Sequence, residues 1–490
     1  MPTISERKGI FFYIGGYIMR LSKDYLWNVS HLSERLRVEE SFDIIERHLD
    51  TAGGELTLFY IDGFVKDGEM QRMMQYLLSA KDINGAGEMV RKLPYMEVDL
   101  ECDVDKMIRA VLSGQSLMIA ESFLDEAVLI DMRTYPARNT TEPDSDRVMQ
   151  GAHDGFVETL VMNTALIRRR IRDPRLTMEH INMGGSSKTD VVICYMSGVA
   201  EQKTVNEVRT KIKKAAPRSL TLGFQSLAES IIRRGWLNPF PKIRTTERPD
   251  TAAAHLMEGS VLVLCDTSPQ VMILPTSIFD YLQQTDDYYF PPLTGTYMRL
   301  VRTAILILSV VSTPLWYLCI YYAASLPQDL LFLLPESSGA LPILLQLILV
   351  ELAIDGLKIA SMNTPDMLSN SLSVVGALIL GDFAIEVGWL CADVIFYMAF
   401  VAIANFAQQN HELGYALKFI RVITLLLCSA FGIYGFAGGL LFGIFLVATN
   451  RTINRKGYLY PLIPFSLKGL VRLIFRVKKT DFSDENQMAR

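Results

Sequence analysis

Five charged residues stand where charge is expensive. Glu351 and Asp355 lie at i and i+4 in the apolar stretch 340–358, and Lys358 follows Asp355 at i+3. Asp382 and Glu386 repeat the i, i+4 spacing in the stretch 370–390. In a helix this spacing puts both carboxylates of a pair on one face. A charge at the centre of a membrane helix costs about 2.5–3.5 kcal/mol on insertion scales, so it is expected against a water-filled path or a partner charge. A ring of carboxylates at a symmetry axis would favour cations, which makes Glu351 and Asp355 candidate pore-lining residues. The plainer reading places these groups at helix ends near headgroups, or pairs Asp355 with Lys358; within the pore reading that same pairing would leave Glu351 as the main ring.

A second constellation is basic. Arg168, Arg169, Arg170 and Arg172 crowd the end of a helix expected over 155–172, which Asp173-Pro174 closes and which Asp154 is placed to cap. The simpler reading is a solvated helix end in a favourable dipole. The sharper one is docking onto lipid headgroups or a neighbouring subunit.

Other chemistry finds no support. The six histidines are scattered and form no metal-ligand spacing. Gly184–Thr189 looks like a phosphate loop, but Ser187 occupies the position before Lys188 that needs glycine, and a strand follows where a helix is required. An ordinary turn is expected there. The six cysteines (Cys102, Cys194, Cys265, Cys319, Cys391, Cys428) form no CxxC and read as reduced thiols. No enzyme activity, cofactor or metal is expected, and a net charge of −5 gives no reason for nucleic acid.

The elements that must position these residues divide the 490-residue chain in two. Up to about residue 297 charges are dense. Beyond it, 303–325 and 422–450 carry no charge, and a bilayer crossing needs roughly 20 apolar residues. The first half reads as two similar α/β units, 1–145 and 146–290. Each has a strand ending in glycine (Leu56–Ile61 with Gly63, Asp190–Met196 with Gly198), then a helix (Glu69–Leu78, Val205–Lys214). Each closes with a hairpin after a second glycine, Gly114 or Gly259. The repeated order suggests duplication. Tyr135–Asp146 reads as a linker and 288–296 as a hinge.

The second half, 298–450, reads as an all-α polytopic membrane domain with segments at 303–325, 340–358, 370–390, 392–408 and 420–449. Residues 451–490 form a basic tail. Arg299 and Arg302 before the first segment, and Arg451, Arg455 and Lys456 after the last, put both flanks on the cytoplasmic side. Five plain crossings would put the tail outside. The Gly-rich last stretch is therefore expected to be a broken or re-entrant hairpin with both ends inside.

The run Gly151–Pro174, GAHDGFVETLVMNTALIRRRIRDP, resembles the signature of GerA-family spore germination proteins of the A-subunit type. Ser187–Ala200 and Ser373–Gly381 continue the likeness, which extends from about residue 35 to 475. Two short runs, Phe59–Lys66 and Glu386–Trp389, point to one branch within that family. The resemblance implies a multi-pass protein of the bacterial endospore inner membrane, in contact with membrane lipids and with its soluble half in the spore core. It implies action in germination as a homo-oligomeric ion channel subunit, a pentamer being among the expected assemblies, and thioredoxin-like subdomains without redox chemistry. It also implies permease-like, lipoprotein or small membrane partner subunits. Two alternatives stand beside the channel. One is a non-conducting receptor or scaffold subunit that couples to a partner membrane protein. The other is a monomeric solute carrier, for which the inverted repeats are missing.

Overall fold

The computed structural model describes residues 19–475, apart from 81–84, 136–147, 149, 216–219, 233–237, 336–338, 364–383, 409, 451 and 454–457. Most of the linker 135–146, and Asp382 with much of the segment 370–390, lie outside the described residues.

The first half is two α/β units built to one plan. The first unit runs α1 (Tyr25–Leu36), β1 (Ile44–Thr51), β2 (Gly54–Ile61), α2 (Asp67–Ser79), α3 (Ala86–Lys92), β3 (Val98–Glu101), α4 (Val104–Leu112), β4 (Ser116–Ala120) and β5 (Ala127–Ile130). The second runs α5 (Leu160–Arg170), β6 (Leu176–Met183), β7 (Thr189–Met196), α6 (Gln202–Lys214), α7 (Phe224–Ile231), β8 (Arg244–Thr246), α8 (Pro249–Met257), β9 (Val261–Cys265) and β10 (Val271–Leu274). The sheet orders, β1-β2-β4-β5-β3 and β6-β7-β9-β10-β8, are the same permutation, which bears out the duplication. The neighbouring strands pair antiparallel. No parallel pair occurs between neighbouring strands among the described residues.

Strand alternation explains the layers. In β2, Phe59 and Ile61 face α1 and α4, whereas Leu56 and Leu58 face α2 and α3. In β7, Ile193 and Tyr195 face α6 and α7, whereas Cys194 and Met196 face α5 and α8. Period-2 side chains buried on both faces read as near-continuous apolar runs. Asp103 caps α4 by accepting from the Asp105 and Lys106 amides, and Pro249 opens α8. Gly114 and Gly259 end α4 and α8 at φ +98° and +89°, where a side chain would be strained.

Gly184–Thr189 is the turn joining β6 to β7, as expected. The helix expected over 155–172 is shorter. Thr159 holds the cap position of α5 and Asp154 does not cap it; Asp154 instead binds Arg170.

After α9 (Asp286–Tyr289) the helical half comprises α10 (Pro292–Tyr321), α11 (Ile343–Asn363), a one-turn α12 (Ala384–Glu386), α13 (Ala392–Phe406), α14 (His411–Phe431) and α15 (Ile433–Thr449). α10 and α14 are long and apolar enough to cross a bilayer, and α13 and α15 are shorter apolar helices. The expected segment 420–449 is two helices. α14 begins at His411, and the chain reverses at Gly432, φ +57°. Small residues let the two helices meet: a Cβ on Gly439 would lie 2.5 Å from Thr424 Oγ1, and one on Gly443 2.8 Å from Ile420.

The tail does not stand apart from the soluble half. Ile453 is part of the core beneath α6 and α7. Lys211 Nζ donates to the Ile453 carbonyl (2.8 Å), and the buried Tyr458 hydroxyl donates to the Pro241 carbonyl (2.6 Å). A last helix, α16 (Leu467–Ile474), follows.

Candidate functional site

The helical bundle holds four charges in one network, with Glu351 and Arg421 buried and Asp355 and Lys418 half-buried. Arg421 on α14 is 1% exposed. Its Nη2 donates to Glu351 Oε1 on α11 at 2.6 Å, and its Nη1 donates to the Ser309 carbonyl of α10 at 2.9 Å. One turn earlier, Lys418 Nζ binds Asp355 Oδ2 and lies 3.5 Å from Glu351 Oε1. α11 and α14 run antiparallel, so the i, i+4 carboxylates face the i, i+3 cations. Two carboxylates are matched by two cations and the network is neutral, which is what makes four charges tolerable in an apolar bundle. α10 enters through its backbone. Pro314 removes the N–H that the Val310 carbonyl would accept from, next to the carbonyl that Arg421 uses.

Two corrections follow. Lys358 does not pair with Asp355: its Nζ lies 3.4 Å from His411 Nδ1 and 5.0 Å from the Tyr415 ring centroid, because Lys418 already stands opposite Asp355. Glu351 does not face outward as a free carboxylate in this arrangement. The outward face of α11 is apolar, with Leu345, Leu349, Leu352 and Ile359 exposed. Glu386 is exposed on α12, apart from the network.

At the foot of α10 lies a second buried set. Asp287 on α9 is 1% exposed, and it accepts from Arg299 Nε (3.1 Å) and from both Arg302 Nη atoms (3.1 and 3.2 Å). Arg302 also donates to the Leu282 carbonyl (2.8 Å). Arg299 and Arg302, expected as solvent-side flanks, clamp the first long helix to the soluble half.

The arginine constellation is likewise not a docking patch as a whole. Arg168 is fully buried and joins the two α/β units. It holds Asp43 through Nε (2.7 Å) and Nη2 (2.9 Å), and also reaches Ser41 Oγ (3.0 Å) and the Leu176 carbonyl (3.0 Å). Arg170 binds Asp154, Arg169 covers the Tyr135 ring at 4.6 Å, and Arg172 Nη1 reaches Ser113 Oγ at 3.4 Å. Arg169 and Arg172 remain exposed. The six thiols are free, and burial pushes the Cys265 thiol up to about 12, so it stays protonated.

The sequence reading missed Lys418, Arg421, Asp287 and Asp43 as site residues. The signal was present for the first two: cations at i, i+3 inside an apolar run, complementary to the carboxylates of another.

A family profile described as Bacillus/Clostridium GerA spore germination protein matches residues 30–488. This chain belongs to the GerA family. Among GerA-related proteins, stage V sporulation protein AF of Bacillus subtilis is 34% identical over 466 residues, 94% of each chain. Spore germination protein A1 of the same organism is 23% identical, over 92% of this chain and 94% of that one. The branch suggested by Phe59–Lys66 and Glu386–Trp389 agrees with the first of these. A crystal structure of the N-terminal domain of the A subunit of the Bacillus megaterium spore germinant receptor GerK3 is 25% identical. It covers 53% of this chain and 98% of its own, with a TM-score of 0.40.

Proposed function

We propose that this GerA-family spore germination protein is an ion channel subunit of the spore inner membrane. It works as a homo-oligomer, with its soluble half and the tail after Asn450 on the core side. The observation that carries the reading is the neutral four-charge network in the apolar bundle, tied to a helix whose foot is held by the soluble half. Movement of Asp287 moves α10, and the Ser309 carbonyl of α10 is one of the two partners of Arg421. In the arrangement described, Glu351 and Asp355 are matched within the chain. The path opens when that pairing is remade, and the freed carboxylates then line it and favour cations. Permease-like, lipoprotein or small membrane partner subunits fit the same reading.

Purified full-length protein in liposomes should release trapped cations, and Glu351→Gln in assembled protein should alter the flux or its selectivity. Absence of flux from folded, reconstituted protein would refute the channel. The second reading is a non-conducting receptor or scaffold subunit. It is favoured by the complete matching of Glu351 and Asp355 inside one chain, which leaves the network a structural lock.

A further inference from the structure

Past Tyr458 the chain exposes one apolar side chain after another. Leu462, Ile463, Phe465, Leu467, Val471 and Phe475 are all open, Phe465 to 69%. Ser466 caps α16, its Oγ accepting from the Gly469 amide at 3.2 Å. By helical register Leu467, Leu470, Val471 and Ile474 share one face, and the sequence sets Lys468 and Arg472 four residues apart among them. From Pro461 to Thr480 there are five basic residues (Lys468, Arg472, Arg476, Lys478 and Lys479) and no acidic one.

We infer that α16 lies in the plane of the membrane surface and binds anionic phospholipid, as a site separate from the bundle network. Position and charge both support this occupant. α16 packs against α10, and the tether from the pinned Tyr458 keeps it toward the soluble end. At that end α10 carries its own exposed apolar stripe, Leu293, Tyr297 and Leu300, at i, i+4 and i+7. The two together mark one level, where apolar side chains meet polar surroundings. A short helix with one apolar face and basic residues suits the headgroup boundary, where the apolar face sinks about 5–10 Å and the cations meet phosphates. A second copy of the same segment would bring like charges together, which selects lipid over self-association. The inference rests on the membrane placement proposed above.

The test uses the full chain with Val471→Cys, and with the half-buried thiols Cys102 and Cys319 changed to serine. The label is nitrobenzoxadiazole. The protein is reconstituted in phosphatidylcholine, alone or mixed with phosphatidylglycerol. With phosphatidylglycerol the emission should shift to the blue and be quenched by nitroxide-labelled lipid. Lys468→Gln with Arg472→Gln should weaken this anchoring roughly thirtyfold, taking the usual electrostatic contribution of each basic residue at an anionic surface, and should return the emission toward its aqueous value. Water-like emission in phosphatidylglycerol vesicles would overturn the inference. So would a blue shift that ignores lipid charge and escapes the lipid quencher, since that marks a protein contact. Release of the unmodified full chain by a carbonate wash would overturn the membrane placement itself, and this inference with it.

Discussion

Asp43→Asn is the sharpest probe of how the two α/β units are joined. The Arg168 and Asp43 side chains are 0% and 2% exposed and share two hydrogen bonds of 2.7 and 2.9 Å, so solvent screens the pair little. Asparagine keeps one acceptor but removes the charge that balances the guanidinium. Stranding one partner of a buried pair costs about 3–5 kcal/mol. For a unit with a urea dependence of about 2 kcal/mol per molar, the unfolding midpoint should fall by about 1.5–2.5 M. The double variant Asp43→Leu with Arg168→Met should regain much of this. It still leaves the Ser41 hydroxyl without the acceptor that Asp43 supplies and the Leu176 carbonyl short of a donor, at about 1 kcal/mol each. The assay is urea titration of the full chain in detergent micelles, followed by tryptophan fluorescence, with Trp27 reporting on the first unit. A midpoint change below about 0.3 M for Asp43→Asn would refute the reasoning. So would a double variant weaker than the single one.

Glu351→Gln should lower the thermal midpoint of the purified full chain, read by size-exclusion after heating, because it strands Arg421; adding Arg421→Gln should restore most of the loss. Gly435→Ala should destabilise the α14–α15 pair, since its Cβ would meet the Leu427 backbone, whereas Gly438→Ala, which faces open space, should not; the same heating assay separates them. Burial pushes Glu179 up, but hydrogen bonds from Arg209 and Tyr195 and their charge environment outweigh it and hold the carboxyl below its ordinary 4.5. A depressed folded value means stability present above pH 4.5 and lost as pH falls below it, so urea midpoints should drop in acid and Glu179→Gln should flatten that drop. A membrane-impermeant thiol reagent applied from outside should react with a cysteine at Phe332 and not with one at Phe465; equal labelling would refute the common side of tail and soluble half.

Duplication was legible because both units carry their strong signals in the same order: a central strand ending in a positive-φ glycine, then a helix, then a glycine-led hairpin. Their first strands were not. Ile44–Thr51 mixes Glu46, Arg47 and Asp50 with only three aliphatic residues, as an edge strand with solvent on one side does. In the bundle the carboxylates stood out, since charge in an apolar run is conspicuous in one dimension. Their partners did not, because pairing across α11 and α14 joins residues some 70 apart. Lys418 and Arg421 stand just before the charge-free run 422–450, and only the opposing helix makes them interior. Arg168 was misread for the same reason. Three consecutive arginines suggest a solvated end, and burial of the first depends on Asp43, 125 residues earlier.

Ile453 and Tyr458 bear on the order in which the molecule is made. The core under α6 and α7 is translated early but lacks a wall until Ile453 arrives, and Pro241 waits for the Tyr458 hydroxyl across 217 positions. At the usual pace of bacterial synthesis the ribosome needs on the order of ten to thirty seconds to travel from the hinge to Tyr458. Throughout that interval the second unit is unfinished and the helices are being laid down. Completion of the soluble half thus reports that the last helix has come back to the side from which the first one left. A nascent chain with one helix misplaced would keep Ile453 from its slot and leave an open apolar seam, the kind of mark that quality-control proteases read.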